Sequence, residues 1–254
     1  MKMHALRKIN TIKTNEKDIS LVGKVLKVKK SKKFKKEITF GILRDETGKL
    51  PFISSKKFDF SEGDVILLRN VHTEGLLGIP RIIISQESTV ERFFDERLSK
   101  YEDEPFFKLI SELKNSSYFD ISIKGFVKEI DPRSSIIHKC PTCKRLIKGN
   151  SCTDHGIVEP ERDIKIIFNL EDGTGEITCY LKTKDSKRLR SQSFHHRNVH
   201  QELTEELLGR FLVVRGDVIR GKKGFNMNVN SIEFYKTSEE EVIQIINDLK
   251  GYNA

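Results

Sequence analysis

The segment 163-DIKIIFNLEDGTGEITCYL-181 contains two short runs of alternating apolar and polar residues, joined by Asp172-x-Thr174-Gly175. Alternation of this kind, rich in β-branched residues, predicts two β-strands. The aspartate can hydrogen-bond back to the turn and the glycine can supply positive φ, which together predict a tight hairpin. An earlier segment, 37-EITFGILRDETGKLPFI-53, has the same pattern. The chain is therefore expected to contain this strand–turn–strand unit twice.

The correspondence extends on both sides of the hairpin. Gly23 and Arg69 have counterparts at Gly125 and Arg215, and further alternating runs precede and follow each hairpin. The second copy carries extra residues between its first and second strands, where a Cys/His segment lies. Five short strands, with a glycine in a long first strand, are typical of the Greek-key barrel called the OB-fold. The predicted fold class is mainly β, with two OB-fold barrels.

A length of 254 residues favours two domains. Between the barrels, apolar residues at 90, 93, 94 and 98 and then at 106, 109, 110 and 113 have helical spacing, with a break before Pro105. The predicted divisions are an N-terminal extension 1–17, a first OB-fold 18–86, a helical linker 87–117, a second OB-fold 118–236 with a zinc ribbon at 138–158, and a C-terminal helix 237–254.

The C-terminal segment 238-SEEEVIQIINDLKGY-252 opens with a capping box from Ser238 to Glu241. Its apolar residues have the spacing of a single helical stripe that can pack in a bundle with other subunits. Docking of this helix on its own barrel is the alternative. The predicted oligomerisation residues are Val242, Ile245, Ile246 and Leu249.

The formal net charge is +9, and it is unevenly distributed, because segments 86–115 and 237–254 are each net acidic. The remaining, β-rich parts are strongly basic, which suggests a polyanionic partner, although a solvated basic surface has the same composition. There is no apolar run of signal-peptide or membrane-span length, so the expectation is an intracellular protein of the cytoplasm or nucleoid, or of the nucleus in a eukaryote.

The segment 140-CPTCKRLIKGNSCTDHG-156 has the spacing Cys-x2-Cys-x8-Cys-x2-His. A Cys-x2-Cys turn brings two thiolates to the edge of a tetrahedron around zinc, and the second pair completes four ligands without a position for water. The sequence therefore predicts one structural Zn²⁺; the alternative is a chance arrangement of unmetallated cysteines. The predicted ligands are Cys140, Cys143, Cys152 and His155.

Two OB-folds with such a ribbon in the second resemble replication protein A (RPA). The second half looks like the C-terminal DNA-binding domain of the RPA large subunit, and like archaeal RPA-type single-stranded DNA-binding proteins. The resemblance rests on CPTCKRLIKGNSCTDHG, IVEPERDIKIIFNLEDGTG and GRFLVVRGDV. It implies a structural zinc ribbon that assists DNA binding, coating of single strands in replication, repair and recombination, and a final helix that assembles subunits. The chain departs from the longest family members in having only two OB units.

An OB-fold binds strands across its second and third strands and between its first and fourth loops. The predicted first loop of copy one, 27-KVKKSKKFKK-36, has seven lysines in ten residues. Alternation turns Tyr180 outward as a stacking platform or as a partly buried surface tyrosine, and makes Phe52 and Cys179 core residues. The predicted nucleic-acid contacts are Lys29, Lys30, Lys32, Lys33, Phe34, Lys35, Lys36, Lys144, Arg145, Lys165, Tyr180, Lys182, Arg220, Lys222, Lys223 and Phe225.

Two questions stay open at the level of sequence. The basic segment 182–200 can follow a phosphate backbone or be a solvated loop, and its histidines are expected to be solvated. An RNA-binding OB protein and a protein-interaction scaffold are the alternatives to the interpretation as a single-stranded DNA-binding protein. Because there is no nucleophile–base constellation and no phosphate-cradling glycine loop, the chain is not expected to be an enzyme.

Overall fold

The computed structural model describes residues 5–33, 36–56, 59–76, 78–114, 117–182, 199–221 and 224–235. In these ranges the chain is mainly β and forms two closed barrels joined by a linker. The predicted fold class is therefore confirmed. None of the helices in the described ranges is long and apolar enough to span a lipid bilayer.

The strands of the first barrel are β1 Ile19–Lys33, β2 Lys36–Arg44, β3 Lys49–Ser54, β4 Val65–Leu76, β5 Ile79–Ile84 and β6 Thr89–Arg92. The barrel has the strand order β1-β2-β3-β5-β4 and closes through pairing of β1 with β4. The contact of β3 with β5 is parallel and the others are antiparallel, as in an OB-fold. Strand β6 extends the sheet beside β4.

The elements of the second barrel are β7 Tyr118–Ile130, β8 Ser135–Lys139, β9 Leu146–Ile147, β10 Ser151–Cys152, β11 Gly156–Ile157, β12 Glu161–Glu171, β13 Glu176–Lys182, α2 Val199–Leu207, β14 Phe211–Gly221 and β15 Gly224–Phe234. The second barrel repeats the strand order of the first with β7, β12, β13, β15 and β14, and closes through β7 and β14. Strands β8 to β11 form the insertion between β7 and β12, and helix α2 lies between β13 and β14.

At one matched cross-strand pair, the large residue lies on the third strand in the first barrel and on the second strand in the second barrel. In the first barrel Gly41 lies opposite Phe52, and a Cβ on Gly41 would come within 2.3 Å of the Phe52 ring. In the second barrel the matched pair is Phe168 and Cys179. Each pair holds one aromatic ring, so the interior is filled either way. Phe52 and Cys179 are buried as predicted, and burial raises the pKa of the Cys179 thiol.

A short 3-10 turn precedes each barrel and docks on its hairpin. Ile9 N–H donates to Asp45 Oδ2 at 2.8 Å, and Ile110 N–H donates to Asp172 Oδ2 at 2.7 Å. The other oxygen of each aspartate accepts from the Thr and Gly of the D-x-T-G turn. The repeat thus begins ahead of the first strand, in residues that sequence analysis assigned to an extension and to a helix.

The helical linker predicted over 87–117 is corrected by the structure. It contains β6, a single α-helical turn, α1 Glu96–Ser99, and the 3-10 turn Ile110–Glu112. The reason is tertiary hydrogen bonding. The side chains of Lys24 and Arg44 in the first barrel donate to the backbone carbonyls of residues 99, 101 and 102, which a helix would use for its own hydrogen bonds. Of the apolar residues that suggested helices, Leu98, Ile110 and Leu113 are buried, whereas Phe94 and Leu109 are exposed.

The predicted loop 27–36 and the segment around Arg220 are instead strand extensions. Strands β1 and β2 pair as far as Lys33 and Lys36, so the described residues of the lysine-rich segment 27–36 lie on two paired strands, which we call the basic hairpin. Strands β14 and β15 likewise pair as far as Gly221 and Gly224. Lysines at alternate positions of a two-stranded ribbon can point to solvent while the backbone completes its ladder.

Helix α2 lies at the end of the segment predicted as a basic loop. Val199, Leu203 and Leu207 form its buried face, at the i, i+4, i+8 spacing of an amphipathic helix. His200, expected to be solvated, approaches the Ile130 carbonyl with Nε2 at 3.0 Å. Residues 183–198 and the predicted C-terminal helix at 237–254 lie outside the described ranges.

Replacing Asp172 with alanine removes the acceptor of four hydrogen bonds that hold the second barrel's hairpin and its preceding turn. We expect the free energy of unfolding of this barrel to fall by roughly 2–4 kcal/mol, because several donors lose their partner together. Chemical denaturation followed by circular dichroism measures the change. Amide hydrogen exchange at residues 110–113 should become faster as well.

The adjacent variant Glu171→Ala is the matched control, since it removes only a surface ion pair with Lys128. We expect it to change the free energy of unfolding by less than about 1 kcal/mol. Equal effects of the two variants would contradict the role assigned to Asp172.

Candidate metal centre and nucleic-acid interface

The insertion in the second barrel folds as a small ribbon that brings the four predicted ligands together. A tight turn after β8 is closed by Lys144 N–H donating to the Cys140 carbonyl and Cys140 N–H donating to the Arg145 carbonyl, each at 2.9 Å. The β10–β11 hairpin supplies the other pair from the opposite side. Two turns therefore present one Cys–Cys pair and one Cys–His pair to a common point.

The four ligand atoms lie within 4.8 Å of one another. Cys143 Sγ is 3.7 Å from Cys152 Sγ, and His155 Nδ1 is 3.6 Å from the sulfurs of Cys140 and Cys152. For a tetrahedral ion with Zn–S bonds of about 2.3 Å, the edge of the tetrahedron is roughly 3.7 Å. The donor set and its spacing therefore fit one metal ion of zinc size.

The local backbone favours the thiolate form that binds a metal. The Cys143 and Thr142 amides lower the pKa of Cys140. The Asp154 amide and His155 lower the pKa of Cys152 to about 6. The pKa of Cys143, which the Arg145 amide lowers, is raised on balance by burial and the neighbouring thiols. Cys152 in turn raises the pKa of His155. Hydrogen bonds from peptide amides thus support negative charge where a cation would sit.

Within the described residues this is the one convergent group of histidine, cysteine and acidic side chains found as a metal site. Four protein ligands complete a tetrahedral shell and leave no coordination position for a reacting water, so the arrangement suits a structural ion. His138 lies on β8 opposite Ile147, outside the group.

Lys144 and Arg145, predicted to contact phosphates, are exposed, and each makes a surface ion pair. Lys144 pairs with Glu161 at 2.6 Å and Arg145 with Asp154 at 2.6 Å. Phe225, predicted to stack on a base, is half-buried and packs against the core of the second barrel. The Lys144–Glu161 pair joins the ribbon to β12, the Arg145–Asp154 pair lies within the ribbon, and Phe225 belongs to the barrel.

The remaining predicted contacts divide into those the structure places and those it does not describe. Lys29, Lys30 and Arg220 are exposed, and Lys165 and Tyr180 are half-buried on the outer side of β12 and β13. Phe34, Lys35, Lys222 and Lys223 lie outside the described ranges. The side chains of Lys32, Lys33, Lys36 and Lys182 are likewise not described.

Two candidate contact residues were missed by sequence analysis. Phe40 on β2 is 40% exposed and lies directly across the ladder from Lys29. Arg133, in the turn before β8, pairs with Asp131 and contacts Tyr180; Asp131 and then Tyr180 raise its pKa. The cross-strand register reveals Phe40, whereas only the folded insertion reveals Arg133.

A cluster of ionised side chains fixes the two barrels relative to each other. Lys49 of β3, whose side chain has 0% exposure, contacts Asp103 of the linker at 2.6 Å and Asp120 of β7 at 2.9 Å. Arg215 of β14 contacts the same carboxylates at 2.9 and 2.6 Å. Lys27 of the basic hairpin also reaches Asp103. We call these five residues the inter-barrel ion cluster.

The charges in this cluster depend on one another. Burial raises the pKa of Asp103, but hydrogen bonds from Lys27 and Lys49 and the charge of Arg215 hold it well below its usual range. A carboxyl with a depressed folded-state pKa contributes stability above its unfolded pKa of about 4, and this contribution is lost as pH falls through the folded value. Contact between the barrels should therefore weaken in acid.

Replacing Asp103 with alanine leaves Lys49 buried with only Asp120, which it shares with Arg215. We expect a loss of roughly 3 kcal/mol in stability, because the two cations Lys49 and Arg215 would then share one carboxylate. The radius of gyration from small-angle X-ray scattering should rise at neutral pH as the barrels separate. Unlike the wild type, the variant should show little further expansion below about pH 4.

Glu104→Ala is the control for Asp103→Ala. Glu104 is the next residue, is mostly exposed and reaches Arg44 only at 3.5 Å. Its loss should leave both stability and scattering close to those of the wild type. A compact, acid-sensitive Asp103→Ala protein would contradict the assigned role of the cluster.

For the Cys/His group, Cys143→Ser should lower the bound zinc measured by elemental analysis from one ion per chain to well below one. The second barrel should melt at a lower temperature, because the ribbon loses the ion that closes it. The first barrel should keep its melting transition. His138→Ala, in the same ribbon but outside the group, should keep full zinc content; unchanged zinc and melting in Cys143→Ser would refute the site.

No model of a known protein family matches the chain, and no curated protein matches it. Similar solved structures include an OB domain from Thermoplasma acidophilum, with 21% identity over 35% of this chain and 86% of that chain and a TM-score of 0.31. An RPA heterotrimer bound to single-stranded DNA is 11% identical over 99% of this chain and 73% of that chain, with a TM-score of 0.40. A replication factor A related protein from Methanobacterium thermoautotrophicum is 24% identical over 35% of this chain and 92% of that chain, with a TM-score of 0.33. These identities and TM-scores are too low for the likenesses to indicate what this chain does.

Proposed function

We propose that the chain is a single-stranded DNA-binding protein of RPA type, which coats and protects single strands in replication, repair and recombination. The observation that carries the proposal is the pairing of Lys29 with Phe40 at the base of the lysine-rich β1–β2 hairpin. An exposed cation beside an exposed ring offers one contact for a phosphate and one for a base. No catalysis is required, and the protein would act where the DNA is, in the cytoplasm or nucleoid or in a eukaryotic nucleus.

The charge of the hairpin supports this proposal. Segment 27–36 contains seven lysines, and of these only Lys27 is engaged by the inter-barrel ion cluster among the side chains that the structure describes. Lys29 and Lys30 are exposed. Cations on a ribbon that projects from a barrel can neutralise phosphates of a flexible strand and release its counterions.

The second barrel supplies a similar combination on its own face. Tyr180 lies in the outer row of β13, with Arg133 beside it and Lys165 on the neighbouring strand β12. The ring can stack on a base while the cations approach the backbone. Two barrels with related faces are consistent with a strand that passes along both.

The Cys/His group has a supporting role in this proposal. We propose that it binds one Zn²⁺, which would fix the ribbon in the connection between β7 and β12. That connection also positions Arg133 next to Tyr180. Assembly with other RPA-type subunits is proposed for Val242, Ile245, Ile246 and Leu249, which lie outside the described ranges.

A fluorescence titration with oligo-dT at several salt concentrations tests the proposed function. If about five phosphates are neutralised, log K should fall with log[salt] at a slope of about −3.5. The double variant Lys29→Glu/Lys30→Glu should weaken binding and make the slope shallower by about 1.4, since two contacts are lost.

Lys114→Glu is the matched control, because this exposed lysine lies in the linker rather than on the hairpin. It should bind like the wild type. Competition with oligo-U and with duplex DNA completes the test. A slope near zero, or a clear preference for RNA or duplex, would overturn the proposal.

A further inference from the structure

The outer faces of the two barrels can be compared position by position, because their hairpins and registers match. In the first barrel one row crosses β2, β3 and β5 through Phe40, Ile53 and Ile83. In the second barrel the same row runs through Ile167, Tyr180 and Asn228. Ile53 is thus matched by the phenol of Tyr180, and Ile83 by the amide of Asn228.

The neighbouring row shows the same difference on two of its three strands. Ile42 lies opposite Pro51 in the first barrel. The matched residues in the second barrel are Asn169 and Thr178, and Thr178 lies beside Asn226 of β15. Ile42 and Pro51 have no side chain that can hydrogen-bond, whereas Asn169 and Thr178 do. The first-barrel match of Asn226 is Arg81, whose guanidinium is paired with Glu74 at 3.0 Å.

The inner faces do not share this difference, so the fold itself does not require it. Leu43 pairs with Leu50 in the first barrel, and Leu170 pairs with Ile177 in the second, all of them buried. Asparagine is disfavoured in strands. Three asparagines close together on the outer face of β12 and β15 therefore call for a chemical reason rather than a packing one.

The polar side chains of this face divide into two groups. Thr178 Oγ1 donates to Asn169 Oδ1 at 3.0 Å, and Asn169 Nδ2 donates to Glu129 at 3.3 Å, so these two hold each other in place. Asn228 is exposed and Asn226 half-buried, and neither makes a side-chain hydrogen bond to any residue in the described ranges. Asn226 and Asn228 are thus the amides available to a ligand.

A primary amide offers a donor and an acceptor side by side, which is the pattern on the edges of nucleic-acid bases. An aliphatic surface offers contact to base rings but cannot distinguish one base edge from another. We propose, on the basis of the proposed function, that the second barrel discriminates between bases through Asn226 and Asn228. The first barrel binds the strand without regard to sequence, through Phe40, the aliphatic residues Ile53 and Ile83 and the basic hairpin, since its one cation in the neighbouring row, Arg81, is paired with Glu74.

The test uses the full chain and three fluorescein-labelled homopolymers, oligo-dT, oligo-dC and oligo-dA, each of roughly 25 nucleotides to cover two OB-folds. For the wild type, we expect dissociation constants that differ by at least about fivefold between the best and the poorest base. In Asn226→Leu/Asn228→Leu, where leucine keeps the size and removes the amide, this spread should fall to less than about twofold. If the leucine pair lowers the melting temperature, Asn226→Ala/Asn228→Ala takes its place.

The matched control is Ile53→Val/Ile83→Val in the first barrel, which trims apolar contact without adding polarity. It should weaken binding of the three homopolymers by the same factor and leave the spread intact. A spread that survives loss of the two amides overturns the inference, and so does equal loss for all bases, because the amides would then contact only the backbone.

The inference and the proposed function fail in different ways. Equal, salt-dependent affinity of the wild type for the three homopolymers sinks the inference and leaves the proposed function standing. Absence of salt-dependent binding to any of them sinks the proposed function, and the inference with it.

Discussion

In each barrel one aspartate carboxylate joins the D-x-T-G hairpin to the 3-10 turn that precedes the first strand. Asp45 and Asp172 each use one oxygen to hold the D-x-T-G turn and the other to hold the 3-10 turn that precedes the first strand. A carboxylate removed from water, as that of Asp45 is, is tolerated only where donors surround it. The carboxylates of Asp45 and of the partly exposed Asp172 each accept four hydrogen bonds. The hairpin of β2 and β3, and that of β12 and β13, is therefore fixed at its tip. The outer face that each hairpin presents, including Phe40 or Tyr180, takes its geometry from that constraint.

The barrels were predictable because their signal is local and repeated. Alternation sets the inner face, and the D-x-T-G turn sets the register, so Phe52, Cys179 and the outward Tyr180 follow from counting. The linker was not predictable in this way. Its apolar spacing fits a helix, but Lys24 and Arg44 compete for its carbonyls from positions far along the chain. Helix α2 was missed because its amphipathic stripe adjoins a strongly basic segment that resembles a loop.

In the candidate site, too, local features were predictable from the sequence and long-range contacts were not. Spacing alone identified the Cys/His group, because two tight turns carry all four ligands. Spacing could not show that Lys144 and Arg145 are paired with Glu161 and Asp154, since those partners are brought in by the ribbon fold. It also could not show the row of Phe40, Ile53 and Ile83, which exists only once strands far apart in sequence are in register. A polar or apolar row across a sheet is a property of pairing.

The inter-barrel ion cluster connects these local features to the proposed function. Lys49 is the first residue of β3, the strand that also carries Ile53, while Asp120 and Arg215 belong to the strands that close the second barrel. If the chain binds a single strand as proposed, the entropy of ordering the two barrels would be lost on folding rather than on binding. If the faces differ as inferred, fixed orientation has a second consequence. A strand held by its phosphates on the first barrel would be aligned with the amides of the second in one register, which is the condition under which weak base-edge contacts add up to a preference.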